Sequence, residues 1–408
     1  MKLLQQALGL GLGLGLASLS TTMAAATVAG PVQARQLAPR AARSEDFLVQ
    51  LHKNLLDIES ITGNEYAVSN WLANFLREQD WTVELQEIAP KRPNVIAYPP
   101  GVQKGKARVL LTTHIDTVPP FVPYRVTKNA TTTTIWGRGA NDAKGAAAAQ
   151  IVAALNVLDR SKELNLPADA LALLFVVGEE GTGDGMKYFS SHAPHNYTHV
   201  IFGEPTEGKL VCGHKGALGM LLNVTGKAAH SGYPHLGVNA NNLLIEAMAI
   251  LLAIEKFLPS SEKFGDTILN IGTMIGGTAI NVVSPASNAT VAIRLGASTP
   301  ENVRRIIEKA LSPIVKRAAG MGGKLDIKWP LLGYPPVDIA CNIDGFKSET
   351  VAYGTDIPNL QGTHQKWLYG PGSILSAHTL DEFVTLSDLN AAVTAYEKII
   401  LHTLGIKA

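Results

Sequence analysis

The stretch that decides the fold is Ala170–Gly181, which reads ALALLFVVGEEG. Residues 170–177 are all apolar, and Gly178 bounds the run. A strand that is apolar in both directions is buried on both faces, as in a parallel sheet covered by helices. We therefore predict a buried strand with two adjacent acids, Glu179 and Glu180, directly after its carboxyl end.

Strands and helices alternate on either side of this stretch. Arg108–Thr113 is a short β-rich run, Lys144–Leu158 is an alanine-rich helix, and Val200–Phe202 is another apolar strand. This order is typical of an α/β protein. The sequence predicts a mixed, largely parallel sheet flanked by helices, with residues 45–215 and 331–408 forming this domain.

The pattern changes in residues 216–330, where a second domain is predicted. A chain of 408 residues is too long for one ordinary core. Four strands and two helices in this segment suit a small α+β sandwich inserted into the first domain. The predicted strands are Ala217–Val224, Thr267–Ile275, Asn288–Leu295 and Lys324–Trp329, and the predicted helices are Asn239–Phe257 and Glu301–Arg317. Pro330–Pro336 is the predicted return linker, and helices near Phe346–Tyr353 and Ser387–Leu404 would complete the first domain.

The N-terminus predicts secretion. Residues 1–34 read as a cleaved signal peptide with a possible short pro-segment: Lys2 is followed by an apolar stretch and then by small residues. A membrane anchor is the rival interpretation, but no stop-transfer charges follow the stretch, so no anchor is expected after cleavage. Four Asn-x-Thr sequons agree with a secreted glycoprotein, at Asn129, Asn196, Asn223 and Asn288.

Charge and cysteine content narrow the class further. Lys plus Arg is 35 and Asp plus Glu is 34, and a net charge of +1 gives no reason to expect nucleic acid or an anionic membrane as partner. The two cysteines, Cys212 and Cys341, either pair in an oxidising compartment or remain buried thiols.

Five segments carry residues suited to catalysis or metal binding, several of them just after predicted strands. The carboxyl ends of strands in an open α/β sheet are where ligands bind. Each segment alone has an ordinary structural explanation; His-x-Asp is common, and an acid pair can cap a helix. The segments are Thr113–Pro119 with His114 and Asp116, Gly137–Gly145 with Asp142, Val176–Gly181 with Glu179 and Glu180, Phe202–Thr206 with Glu204, and Gly370–Glu382 with His378.

Together and in this order, the segments resemble the co-catalytic metallopeptidase family that includes acetylornithine deacetylase, succinyl-diaminopimelate desuccinylase, aminoacylase and glutamate carboxypeptidase. The resemblance implies two zinc ions per subunit, with cobalt or manganese as substitutes. Carboxylates and imidazoles without a thiolate suit zinc. The implied roles are as follows: His114, Asp142 and Glu204 hold one ion; Asp142, Glu180 and His378 hold the other; Glu179 is the general base; and Asp116 orients His114.

The inserted domain resembles the family's lid and dimerisation domain. His230, in the segment AAHSG at residues 228–232, would stabilise the oxyanion, often across a dimer. Asn281 and Arg294 would contact substrate, Arg294 through the substrate carboxylate. The turns at Gly354 and Gly370 resemble substrate-contacting turns. For Arg294 the alternative is an ordinary salt-bridged residue on a strand.

These features favour a secreted two-metal amidohydrolase acting on a small peptide or an N-acyl amino acid. Secretion favours a carboxypeptidase or dipeptidase over an N-acyl-amino-acid deacylase, because biosynthetic deacylase substrates are intracellular. A third hypothesis is a catalytically inactive binding protein on the same fold. Such a protein is expected to have lost Glu179 or a metal ligand, and the sequence retains them all. A homodimer through the lid domain is a further expectation.

Overall fold

The computed structural model describes residues 45–192 and 197–407, so the predicted signal segment and Asn196 lie outside the described residues. The helices of this part are α1 (Glu45–Asp57), α2 (Tyr66–Glu78), α3 (Lys144–Asp159), α4 (Asp184–His192), α5 (Ala240–Ile254), α6 (Pro300–Gly320) and α7 (Leu386–Thr403). The strands are β1 (Thr82–Ala89), β2 (Arg92–Tyr98), β3 (Val109–His114), β4 (Arg125–Lys128), β5 (Thr133–Trp136), β6 (Leu171–Val176), β7 (His199–Gly203), β8 (Leu210–His214), β9 (Gly216–Thr225), β10 (Ile268–Gly276), β11 (Ala286–Leu295), β12 (Lys324–Tyr334), β13 (Val337–Asp338), β14 (Ser348–Val351), β15 (Gln365–Tyr369) and β16 (Phe383–Thr385). Within the described ranges, none of the helices combines the length and apolar content that a membrane crossing requires.

The largest sheet has six strands in the order β1-β2-β6-β3-β7-β15. Strands β6, β3, β7 and β15 pair in parallel, and the β1–β2 pair joins β6 in antiparallel fashion. Every residue of β3 and β6 is buried, as the apolar run at residues 170–177 predicts. The expected mixed, largely parallel sheet is confirmed.

Helix α3 packs against α1, α7 and strand β3. Its alanines at 146–149 are fully buried, and such small side chains allow helix and sheet to approach closely. This close packing fixes the loop before α3, which carries Asp142, against the carboxyl edge of the main sheet.

A second, antiparallel sheet has the order β10-β11-β9-β12, and we call it the lid sheet. Burial alternates along β9 and β11, because one face packs under α5 and α6 while the other stays open. The expected inserted α+β element is therefore present. Strand β12 continues to Tyr334, past the domain boundary predicted at residue 330, so most of the predicted linker is strand.

The two chain segments that connect the lid sheet to the rest of the molecule lie side by side. Strand β8 leads into β9, and β13, which follows β12, pairs antiparallel with β8. A disulfide joins Cys212 on β8 to Cys341, across a separation of 129 residues. The pairing that the sequence leaves open is therefore resolved in favour of a disulfide that encloses the whole lid sheet.

One predicted element is wrong. The segment Phe346–Tyr353, predicted as helical, contains strand β14 instead. Thr350 and Val351 are β-branched, and β14 pairs in parallel with β8, so sheet pairing outweighs the local helical pattern. A small sheet of β16, β5 and β4 was also not predicted.

Candidate active site

The predicted metal ligands meet at the carboxyl edge of the main sheet. His114 is the last residue of β3, Glu204 directly follows β7, and Glu179 and Glu180 follow β6 after a turn at Gly178. Gly178 has a φ of 77°, which favours glycine and lets the chain turn sharply after the strand. Because these strands are parallel, their carboxyl ends lie at one edge, and the acids converge there.

His114 is at the centre of the cluster and is buried. Its Nε2 lies 3.1 Å from Asp142 Oδ1 and 3.8 Å from Glu204 Oε2. The loop at residues 137–145 delivers Asp142, whose peptide bond to Ala143 is cis. Asp142 therefore reaches the strand ends from a loop outside the sheet.

His378 completes the cluster from the far end of the sequence. Its Nε2 lies 3.2 Å from Asp142 Oδ2 and 3.0 Å from Glu180 Oε2. Asp142 thus contacts both histidines, one through each carboxylate oxygen. This is the arrangement that a bridging role for Asp142 requires.

Asp116 acts on two neighbours through different atoms. Its main-chain oxygen contacts His114 Nδ1 at 3.0 Å, whereas its carboxylate is 3.7 Å from the same nitrogen. The carboxylate accepts hydrogen bonds from the main-chain N–H groups of Glu179 and Glu180 and from the hydroxyl of Thr62. Asp116 therefore fixes the loop that bears both glutamates, a role that the sequence motif did not predict.

The charges of the cluster oppose one another. Burial raises the pKa of Glu179 well above its usual value, and nearby Glu204 raises it further. Burial likewise raises the pKa of Glu204 to about 7. Burial alone would lower the pKa of His114, but hydrogen bonds with Asp142 and Glu204 raise it well above its usual value. Hydrogen bonds with Asp142 and Glu180 raise the pKa of His378 to about 10. Carboxylates held this close in a low dielectric favour a bound cation.

The donor atoms fit a metal centre. Donor atoms of His114, Asp142 and Glu180 lie within 4.8 Å of one another, as do those of His114, Glu179 and Glu204. His378 adds a second imidazole in direct contact with Asp142 and Glu180. Three carboxylates and two imidazoles with Glu179 beside them match the ligand chemistry of divalent transition metals.

A buried ion pair supports the Asp142 loop. Glu382 accepts hydrogen bonds from the main-chain N–H groups of Asn141 and Asp142, at 3.3 and 3.2 Å. Its other oxygen lies 2.5 Å from Arg138 Nη1, and both side chains are almost fully buried. The Asn141 amide also donates to the carbonyl of Ser373, in the loop that leads to His378. Sequence reasoning missed these supports, although Glu382 lies within the quoted histidine segment.

The cluster opens into a cavity of about 640 Å³ between the main sheet and the lid sheet. Arg294 and Gly354 line this cavity, as the predicted substrate contacts require. Gly370 does not line it; a Cβ there would lie 2.2 Å from the carbonyl oxygen of Glu204, so glycine permits close packing of the two strand ends.

His230 and Asn281 lie together elsewhere on the lid. Neither lines the cavity, and both are exposed. His230 forms a β-bridge with Val282, and Ser231 donates a hydrogen bond to the carbonyl oxygen of Asn281. Within one chain, the structure separates these two predicted residues from the metal cluster.

The fold and the site together define a metal-dependent hydrolase. The comparisons with known proteins give the same class. The peptidase dimerisation domain model matches residues 212–319, and the peptidase family M28 model matches residues 94–203. An Aspergillus flavus protein named a probable carboxypeptidase is 42% identical over 381 residues, covering 86% of each chain.

Solved structures share the fold at lower identity. A tripeptidase from Staphylococcus aureus aligns with a TM-score of 0.72 and 22% identity, covering 89% of this chain and 99% of that one. A dinuclear metal-binding peptidase of the M20 family from Bacillus subtilis aligns with a TM-score of 0.60 and 15% identity, covering 89% and 99%. The chain belongs to the M20 family of metallopeptidases, and it is a metallopeptidase related to fungal carboxypeptidases.

Proposed function

We propose that this protein is a secreted two-zinc peptidase that releases the C-terminal amino acid of small peptides. The observation that carries the proposal is Arg294, which lines the cavity opposite the metal cluster. Across residues 45–192 and 197–407, Arg294 forms no salt bridge. A Cβ at Gly354 would lie 3.3 Å from Arg294 Nη1, so the glycine keeps one side of the guanidinium open. A half-buried, unpaired guanidinium suits a substrate carboxylate.

We assign the ligands as the resemblance implies. His114, Asp142 and Glu204 would hold one ion; Asp142, Glu180 and His378 would hold the other. When bound, the two ions supply a more acidic attacking water and a polarised scissile carbonyl. The contacts of Asp142 with both histidines support this division.

Glu179 is the proposed general base. Asp116 holds its main-chain N–H, and in the described part of the chain its carboxylate accepts no side-chain hydrogen bond. The carboxylate can therefore take a proton from the attacking water and pass it to the departing amine nitrogen. Arg294 meanwhile anchors the C-terminal carboxylate, which fixes the scissile bond over the cluster.

Secretion and glycosylation are part of the proposal. The predicted signal segment and the sequons support them, together with the disulfide. Asn129 is exposed on the turn between β4 and β5 and is the site we favour for glycosylation. Asn223 and Asn288 lie opposite each other on the lid sheet and are half-buried. Peptide mapping of secreted protein with and without glycosidase treatment tests these sites.

The activity is tested with N-blocked dipeptides that carry either a free or an amidated C-terminus. The zinc-loaded enzyme is expected to cleave only the free acids. Arg294→Met should lower kcat/KM for them about 100-fold, the size of a lost pair of charged hydrogen bonds. Arg305→Met on α6, outside the cavity, is the matched control. Equal cleavage of the amides would refute the carboxylate anchor, and hydrolysis restricted to N-acetyl amino acids would identify a deacylase.

We further propose that His230 acts on the site of a second copy. It is exposed beside Ile280 and Tyr233, two apolar side chains that also face solvent. Mixing His230→Ala with Glu179→Gln tests this arrangement. Randomly formed hybrids should restore about a quarter of the wild-type rate, because half of the dimers then hold one complete site. Absence of recovery in a confirmed dimer would place the action of His230 within its own chain or outside catalysis.

A further inference from the structure

The wall of the cavity opposite the metal cluster is the open face of the lid sheet. Ala217 on β9 lies directly opposite Arg294 on β11 and opposite Tyr334 on β12. Residues directly opposite in antiparallel strands point to the same face. Arg294, Ala217 and Tyr334 therefore form one row, and all three line the cavity.

The next row along the same face is apolar. Leu331 on β12 lies opposite Gly219, and a Cβ on that glycine would be 3.0 Å from the Cβ of Leu331. The glycine thus allows the leucine to lie across the sheet beside the Arg294 row. The apolar residues that line the cavity are Ala217, Pro330, Leu331, Leu332 and Ile374.

Two of these side chains remain uncovered. Leu331 is 40% exposed and Leu332 is 69% exposed, in a protein whose other strand leucines are mostly buried. Exposed leucines that line a cavity are suited to contact an apolar ligand group. Their place next to the carboxylate anchor means that they contact the side chain of the same residue whose carboxylate Arg294 binds.

An acidic side chain is less well matched by this cavity. Besides Arg294 and His378, the basic residue that lines it is Lys187. The Lys187 ammonium already donates to the main-chain oxygen of Thr182. A second substrate carboxylate would also approach Glu179 and Glu180, whose charges repel it.

We infer that the enzyme selects peptides whose C-terminal residue is apolar, through contact with Leu331 and Leu332. The inference rests on the proposed release of a C-terminal amino acid and adds the class of residue released. Leu332 is the better position to test, because its exposure means that substitution leaves the core intact.

The test measures kcat/KM for N-blocked dipeptides that differ only in a final Leu, Ala, Glu or Lys. The Leu-terminal peptide is expected to exceed the Ala-terminal peptide at least about tenfold, the minimum for several apolar carbons in a pocket. Leu332→Ser should reduce that ratio to about threefold or less, mainly through KM for the Leu-terminal peptide. Leu252→Ser is the matched control, since Leu252 is a comparably exposed leucine on α5 outside the cavity. Lys187→Met tests the acidic alternative.

Each outcome decides between the inference and its alternatives. A Leu preference that shrinks in Leu332→Ser and persists in Leu252→Ser supports the inference. A preference for Glu that Lys187→Met removes, or equal rates on all four peptides, overturns it while leaving the proposed C-terminal release intact. A Leu preference unchanged in Leu332→Ser overturns the role of the leucine wall. Hydrolysis of none of the peptides overturns the proposed function and the inference together.

Discussion

The edge of the main sheet and the open face of the lid sheet hold the predicted site residues in different ways. At the main sheet, every predicted metal ligand lies within contact distance of another, and buried partners such as Asp116 and Glu382 support them. On the lid, Arg294 reaches the cavity, whereas His230 and Asn281 lie exposed outside it.

This difference shows that the two regions contribute to different parts of the function. The main-sheet edge is a complete, pre-organised chemical centre within one chain. The lid sheet supplies a wall whose residues depend on register and, for His230, on the proposed second copy. Substitutions in the first region should therefore affect chemistry and metal content, and substitutions in the second should affect substrate choice.

Asp142→Ala should give the largest effect. Asp142 contacts both histidines of the cluster, so its removal should release both metal ions and abolish turnover. Metal content of the purified variant, measured by inductively coupled plasma mass spectrometry, gives the answer. Retention of one ion per subunit would contradict the bridging assignment.

Glu179→Gln should separate chemistry from metal binding within the same cluster. Loss of the general base is expected to lower kcat by about 10²–10⁴-fold, while two ions per subunit remain. Steady-state kinetics and metal analysis are measured together, with the exposed Glu262→Gln as control. A variant that keeps most of its rate would exclude Glu179 from the base role.

Removing the disulfide should test how strongly the lid sheet is tied to the main sheet. Replacing Cys212 and Cys341 together by serine opens a covalent loop of 129 residues. Chain entropy predicts a loss of about 4 kcal/mol in the free energy of unfolding, with kcat little changed because no metal ligand moves. Urea denaturation of the double variant measures the loss. An unchanged midpoint would show that sheet pairing alone holds the junction.

His214, at the junction of the two regions, should give the smallest effect. Burial lowers its pKa to about 4, against an ordinary value of 6.5. The unfolded chain therefore binds a proton first as the pH falls, and stability should decrease between about pH 6.5 and 4 and stay constant above that window, as far as this group contributes. His214→Gln should weaken this pH dependence in denaturation experiments at pH 7 and pH 5. Identical pH profiles would remove His214 as a contributor.

Much of the main-sheet site was predictable from local sequence. His114, Glu179 and Glu204 each follow a short apolar run, and parallel strands place such positions at one edge. The supports of Asp142 were not predictable, because Glu382 and Arg138 are 244 residues apart and their pairing depends on packing. The segment Phe346–Tyr353 was predicted wrongly because its strand forms only by pairing with β8.

The sequence by itself determined the fold class, the order of the metal-binding segments and the presence of an inserted α+β element, because these depend on periodicity and on motifs that lie within a few residues. Only the tertiary structure decided which atoms of Asp116 orient its neighbours, that Cys212 pairs with Cys341, and that Leu331 and Leu332 face the cavity. These features depend on strand register and on contacts between distant segments. A one-residue change in register would turn each side chain to the opposite face of its sheet.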